Sequence, residues 1–190
     1  HSKINCIQCI IHPKDKAIYN EVISDFKILE SVNGGRNRQE SVRIGLESLT
    51  PLKPDFVMIH DAARPMFPFY LISEIIESLK NNKAVVPVLP VTDTIKRCNS
   101  GLVIETLDRE NIYRIQTPQG FHFKEILRAH REFSHQDLND DSAVIEQAGV
   151  KVRIIRGGII NEKITNPEDV LNYKNLERES DVRTGFGFDV

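Results

Sequence analysis

No apolar run in this chain approaches the ~18 residues that a membrane-spanning helix needs. Charge of one sign is not in excess: 25 lysines and arginines stand against 27 aspartates and glutamates, a net charge of −2 with a pI near 6.3. That balance leaves no global basic field of the kind that gathers on nucleic acid. Cysteine is scarce, at positions 6, 9 and 98 only. Cys6 and Cys9 have the C-x-x-C spacing, but no second such pair and no histidine pair follows to complete a zinc site. Read on a strand, two residues three apart point to opposite faces, so these thiols read as buried cysteines of a reducing compartment. Internal repeats and low-complexity tracts are missing too. The polar, charged start shows no signal-peptide pattern. These absences together lead us to expect a cytoplasmic protein with no membrane or nucleic-acid partner, and the start at His1 rather than Met reads as part of a longer chain.

What is present, 40% hydrophobic and 27% charged residues over 190 positions, suits one globular domain with a short appendage. Strands are expected over 4–12, 27–32, 55–60 and 84–89. Helices alternate with them over 14–26, 37–49 and 69–79, as apolar spacings of three and four indicate. This order argues for βαβ units, and hence for an α/β, Rossmann-like, mostly parallel sheet with helices on both faces. The alternation then stops. Residues 94–98 and 102–107 flank the turn signal Asn99-Ser100-Gly101 and read as a protruding β-hairpin arm. Such an arm is too small to be stable alone, and a second subunit is the natural surface for it. Helices over 123–134 and 140–148, strands over 150–155 and 159–165, and a helix capped by Asn166-Pro167 and running to about 177 complete the reading. A charged linker is expected over 178–183.

The most informative segment is His60-Asp61-Ala62-Ala63-Arg64-Pro65, at the end of the apolar run Phe56-Val57-Met58-Ile59. A buried strand that stops at an aspartate delivers a carboxylate to the sheet edge where α/β proteins bind ligands. An acid able to hold a divalent cation, close to an arginine able to hold a phosphate, suits nucleotide chemistry. The plainer role is a turn cap paired with Arg64. Gly34 and Gly35 precede a helix whose first turn carries Arg38 and Ser41, which suits approach of an anion or a base edge, or simply a turn. Thr94 could donate to a phosphate oxygen, and Arg109 could do no more than pair with Asp108 or Glu110. Thr117, ahead of Pro118, is held extended. Lys163 by default is a solvated lysine.

Taken in order, Gly-Gly-x-x-Arg-x-x-Ser (34–41), His-Asp-Ala-Ala-Arg-Pro (60–65), Pro-Val-x-Asp-Thr-x-Lys (90–96), Asp-Arg (108–109), Thr-Pro-Gln (117–119) and Lys-x-Thr-x-Pro-Glu-Asp (163–169) form a series. It resembles that of the 2-C-methyl-D-erythritol 4-phosphate cytidylyltransferases, over about residues 3–177. The resemblance implies transfer of CMP from CTP to methylerythritol phosphate with release of pyrophosphate, in non-mevalonate isoprenoid biosynthesis. It implies that Gly34, Gly35, Arg38, Ser41 and Ala62 lie at the nucleotide, with Gly35 and Ser41 on cytosine, and that Asp61 holds Mg²⁺ against the phosphates. Arg64, Thr94, Thr117 and Lys163 would hold the acceptor phosphate. Arg109, carried on an arm exchanged within a homodimer, would act in the other subunit's site. Arg64, Arg109 and Lys163 are the implied catalytic cations. Arg36 stands where the family usually has an acidic or small residue. The family's opening strand and Gly-rich loop, Leu-Ala-Ala-Gly-x-Gly-x-Arg, are not in this sequence.

Residues 183–190, Arg-Thr-Gly-Phe-Gly-Phe-Asp-Val, resemble the opening of the 2-C-methyl-D-erythritol 2,4-cyclodiphosphate synthases. That resemblance implies a cytidylyltransferase domain over 1–179, then a linker and the first residues of a second enzyme over 180–190. Asp189 would be a ligand of the second enzyme's divalent metal, usually Zn²⁺. The rival readings are a cytidylyltransferase for another sugar-alcohol phosphate, such as ribitol 5-phosphate, and a non-catalytic, dimeric nucleotide-binding scaffold.

Overall fold

The computed structural model describes residues 1–171 and 173. The expected strand at 159–165 is not formed: those residues make a turn and an irregular run. The two opening strands are far shorter than expected. Only β1 (Ile10–Ile11) and β2 (Val32–Asn33) pair, in parallel, as a separate two-stranded sheet. Between them, helix α1 (Lys16–Ile23) follows a 3₁₀ turn at Pro13–Asp15. The cysteines are not buried: Cys6 and Cys98 are exposed, Cys9 is half-buried, and all three are free.

Helix α2 (Arg38–Ser48) begins where the glycine pair predicts. Asn37 caps it by accepting from the Glu40 N–H at 2.8 Å, and the Glu40 carboxylate reaches back to the Arg36 N–H at 2.8 Å. The first contact satisfies a donor that the helix start leaves open, and the second ties down the residue before the cap. Strand β3 (Phe56–Ile59), helix α3 (Tyr70–Leu79) and strand β4 (Ala84–Pro90) follow as expected. Every residue of β4 from Ala84 to Leu89 is buried, as suits a strand covered on both faces.

The arm is formed by β5 (Ile95–Asn99) and β6 (Leu102–Leu107), which pair only with each other among the described residues. Ser100 and Gly101, with φ of 50° and 81°, make its tight turn, the geometry that a two-residue hairpin favours. Leu102, Val103 and Ile104 are exposed.

Two further strands come from a stretch read as connection: β7 (Tyr113–Ile115) and β8 (Gln119–His122). They correct the expectation of a mostly parallel sheet. β8 lies between β3 and β4 and is antiparallel to both, while β7 continues along the same flank of β4, also antiparallel. On the other flank β9 (Val152–Arg156) runs parallel to β4. The central sheet is therefore mixed. The reason is connectivity: the chain leaves the edge at the end of β4, makes the arm, and must come back along the sheet in the opposite direction.

Helices cover both faces, as expected. Side chains alternate across a strand, so Val85 meets Leu71, Ile75 and Leu79 of α3 on one face. On the other, Ala84 and Phe121 meet Leu46 of α2 with α4 (Phe123–Glu132) and α5 (Asp141–Gln147). Close packing fixes Gly120. A Cβ there would overlap the Ile75 Cγ2 and come within 3.1 Å of the Leu79 Cδ1. Gly120→Ala should cost about 1–3 kcal/mol through overpacking, measurable by urea denaturation; wild-type stability would mean that α3 can move away from the sheet freely.

A last helical segment begins at 167, capped by the Asn166 side chain, which accepts from the Asp169 N–H at 3.0 Å. The expected end of this helix near 177, the linker over 178–183, the boundary at 179/180 and Asp189 lie outside the described residues. No helix of the described residues is long and apolar enough to cross a membrane.

Candidate active site

β3, β4 and β9 point the same way, so residues 60–64, 91–94 and 157–163 leave one edge of the sheet. β8 runs the other way, so Thr117 enters at that edge; the pairing of Ile59 with Gln119 fixes the level. Four chain segments far apart in sequence thus share one rim, and α2 brings a fifth with Arg38.

Asp61 is the centre of the cluster. Its Oδ1 accepts from Arg38 Nη2 at 3.2 Å and Nε at 3.3 Å, and its Oδ2 accepts from Lys163 Nζ at 2.9 Å. Burial works to raise the pKa of this carboxyl. The hydrogen bond from Lys163 and the charges of Arg38 and Lys163 outweigh it, and the net displacement is downward. A depressed carboxyl stabilises the fold above its unfolded pKa, and that contribution is lost as pH falls through the folded value. We expect the Asp61 carboxyl carbon to titrate in NMR below the ordinary ~3.9. A midpoint at or above that value would mean that the two cations do not hold it.

Arg38 is shared. Besides Asp61, its Nη2 donates to the Asp141 carboxylate at 2.7 Å. Burial works to lower the pKa of this guanidinium, and the two carboxylates more than reverse it. Arg64 is tied to the sheet edge through backbone oxygens, donating from Nη1 to Asn161 at 2.7 Å and from Nη2 to Ile115 at 3.4 Å. Its buried Nε has no hydrogen-bond partner among the described residues. Burial lowers its pKa, though an arginine remains charged throughout the physiological range.

Thr117 is buried and already engaged. The Asp61 N–H donates to its Oγ1 at 3.0 Å, and His60 Nδ1 lies 3.0 Å from the same oxygen. Since His60 Nε2 donates to the Arg64 carbonyl at 3.0 Å, Nδ1 is the acceptor and the threonine hydroxyl its donor. This ring fixes residues 60, 61 and 64 as a unit. Thr117 is therefore a brace of the acidic loop in this structure, its hydroxyl fixed on protein groups where the resemblance placed it on the acceptor phosphate. Pro118 follows it through a cis peptide bond.

Behind the rim, the buried Gln116 amide donates to the carbonyls of Gly158 at 2.9 Å and Asn161 at 3.1 Å and accepts from the Gly158 N–H at 3.1 Å. Asn161 Nδ2 in turn donates to the Thr117 carbonyl at 2.8 Å. The Ile164 N–H donates to the Ala63 carbonyl at 2.8 Å, which lays the segment with Lys163 against the segment with Asp61.

The glycine loop closes on itself. Ser41 Oγ accepts from the Gly35 N–H at 3.0 Å and donates to the Asn37 carbonyl at 2.8 Å. Arg36 pairs with Glu40 at 3.0 Å. Ala62 is exposed beside Asp61. Thr94 is exposed, one residue ahead of β5, and Arg109, after β6, donates to the Thr92 carbonyl. This replaces the ion pair with Asp108 or Glu110; the Asp108 carboxylate instead accepts from the Glu110 N–H. The structure brings together Arg38, Asp61, Arg64, Thr117 and Lys163, and leaves Thr94 and Arg109 at the root of the arm. Sequence reasoning missed Asp141, His130, Gln116 and Asn161. The only cue for Asp141 was its place in the first turn of a predicted helix.

A mixed α/β sheet whose carboxyl edge gathers one acid among three cations, beside a glycine loop at a helix start, defines an α/β protein of the nucleotidyltransferase class. Comparison gives the particular family. The model of 2-C-methyl-D-erythritol 4-phosphate cytidylyltransferase (IspD) matches residues 1–176, and the chain belongs to that family. A bifunctional enzyme IspD/IspF of Paramagnetospirillum magneticum is 42% identical over 189 residues, covering 99% of this chain and 49% of that protein. One from Rhodospirillum rubrum is 43% identical, covering 100% and 50%. The chain thus spans about half the length of these curated relatives and corresponds to their IspD part. Among solved structures, the 4-diphosphocytidyl-2C-methyl-D-erythritol synthase of Anaerococcus prevotii superposes with a TM-score of 0.83 at 29% identity, covering 92% of this chain and 79% of that one. The bifunctional IspDF of Campylobacter jejuni does so at 0.72 and 28%, covering 88% and 42%.

Proposed function

We propose that this chain transfers CMP from CTP to 2-C-methyl-D-erythritol 4-phosphate. An oxygen of the acceptor phosphate bonds to the α-phosphorus, the bond from that phosphorus to the bridging oxygen breaks, and pyrophosphate leaves. The observation that carries this reading is the convergence of Asp61 with Arg38, Arg64 and Lys163 on one sheet edge. Both reactants are polyanions, so positioning and positive charge, more than a base, set the rate.

The family implies a divalent metal, which we take to be Mg²⁺. Mg²⁺ is held by one or two carboxylates together with substrate phosphates. Asp61 fits that role as a half-buried, ionised carboxylate at the ligand edge. No cluster of three or more metal-ligating side chains occurs among the described residues, which suits an ion that arrives with the triphosphate. Once bound, the ion would neutralise charge on the phosphates.

Gly34, Gly35, Arg38, Ser41 and Ala62 take the nucleotide. Arg64, with its buried Nε unpartnered among the described residues, Thr94 and Lys163 take the acceptor phosphate, while Thr117 braces the loop beneath. Arg109 serves the site of a second subunit reached by the exposed apolar arm. In the complete protein a cyclodiphosphate synthase follows, with Asp189 among its metal ligands and Zn²⁺ as the metal. We place the protein in the cytoplasm.

The test is pyrophosphate release by the full-length protein with CTP, Mg²⁺ and either methylerythritol phosphate or ribitol 5-phosphate. Turnover with the first acceptor supports the reading; turnover only with the second, or none, ends it. Arg64→Ala and Arg109→Ala proteins, each inactive, should regain part of the activity when refolded together, because one mixed site then holds both arginines. Equal inactivity of the mixture would remove the shared site.

A further inference from the structure

Asp141 and His130 take no part in the roles above, yet both are almost wholly enclosed, at 1% and 0% exposure. His130 Nε2 lies 3.1 Å from Asp141 Oδ1, and Arg38 Nη2 lies 2.7 Å from Oδ2. A carboxylate only accepts, so His130 Nε2 carries the proton of that bond. Among the described residues His130 Nδ1 is buried without a partner, leaving the bond to Asp141 as the one hydrogen bond of the ring within them.

The carboxylate between them is itself held in place. Asp140 caps α5 by accepting from the Ala143 N–H at 2.9 Å. The buried Gln119 of β8 donates to Asp140 Oδ2 at 2.9 Å and accepts from the Ser142 N–H at 3.0 Å. The start of α5 is thereby fastened to the central sheet. His130 approaches from α4, which packs on α5. A buried ionised group is a poor stabiliser next to an apolar residue of the same size, so what Asp141 holds explains it better than fold stability does. It holds Arg38, whose other partner is Asp61.

We propose that His130 and Asp141 are positioning residues for the nucleotide: His130 orients the Asp141 carboxylate, and Asp141 fixes the Arg38 guanidinium at the mouth of the glycine loop. When Asp61 turns to a ligand, Arg38 keeps its second anchor and stays in place. This inference rests on the cytidylyltransferase reading.

The experiment compares Asp141→Asn, His130→Leu and His130→Gln in the full-length protein. Gln keeps an N–H where the imidazole Nε2 stood. The KM for CTP should rise roughly tenfold in Asp141→Asn and in His130→Leu with kcat changed by less than about threefold, the pattern of lost ground-state binding. His130→Gln should restore most of the wild-type KM. In an Arg38→Ala background Asp141→Asn should add nothing, whereas an equal factor in both backgrounds would show independent action and overturn the proposal. The NMR signal of Arg38 Nη2, the group that donates to Asp141, supplies a readout without turnover. It should be distinct in wild type and His130→Gln and merge with solvent-exposed arginines in the other two. An unchanged signal in Asp141→Asn, or an unchanged KM, overturns the proposal. Absence of turnover in the wild type would defeat the functional reading alone, since the NMR comparison still decides the positioning.

Discussion

Asp61→Asn should lower turnover of CTP by ~10³-fold or more, the size of effect seen when a group stabilising transition-state charge is removed. The amide keeps the shape and most contacts of the side chain but cannot act as an anionic ligand. Arg38 retains Asp141 at 2.7 Å, and the Lys163 head is exposed enough to be solvated. Asp61 is half-buried, so weakening its charge-assisted hydrogen bonds should cost about 1–3 kcal/mol; circular dichroism should match wild type, with Tm lower by only a few degrees. A variant with both normal folding and wild-type rate would take Asp61 out of the chemistry.

The second large effect is on stability. Gln116→Ala should destabilise the protein by about 2–4 kcal/mol, because it strips hydrogen bonds from the enclosed backbone of Gly158 and Asn161. For a domain of this size ~1 kcal/mol corresponds to ~2–4 °C in Tm, so a fall of roughly 5–15 °C is expected in calorimetry. The same substitution loosens the carbonyl of Asn161 that anchors Arg64, so the KM for the acceptor phosphate should rise with it. A drop in Tm below ~2 °C would show that water replaces the amide at no cost.

Much of this was legible before any coordinates. The apolar periodicities of α2 and α3 placed those helices within a few residues, because each buries one face against the sheet. The end of β3 placed Asp61 at a ligand edge by strand polarity alone. Ordered motifs then tied Arg64, Thr117 and Lys163 to the same rim, and the structure brings them there. What failed was what depends on partners distant in the chain. Residues 4–12 and 27–32 have strand composition, but only two residue pairs find a ladder. Tyr113–Ile115 and Gln119–His122 are short, interrupted by Pro118, and become strands only because β3 and β4 stand on either side of the second. Nothing local in Ile159–Thr165 reveals that its polar groups are claimed by Gln116 and Ala63. Asp141 looks like any acid at a helix start until α4 supplies His130 and α2 supplies Arg38.

The antiparallel strand between β3 and β4 also bears on how the molecule is made. Ile59 finds its ladder partner only at Gln119, so the place between β3 and β4 is filled only after the arm has been made. On a growing chain β3 and β4 emerge with a vacant slot between them, their facing edges unpaired. Such edges invite association with other chains, and non-local pairing of this kind is slow. Nascent protein is therefore exposed to misassembly until the returning segment clears the ribosome, and shielding of that slot during synthesis should govern yield more than the stability of the finished fold.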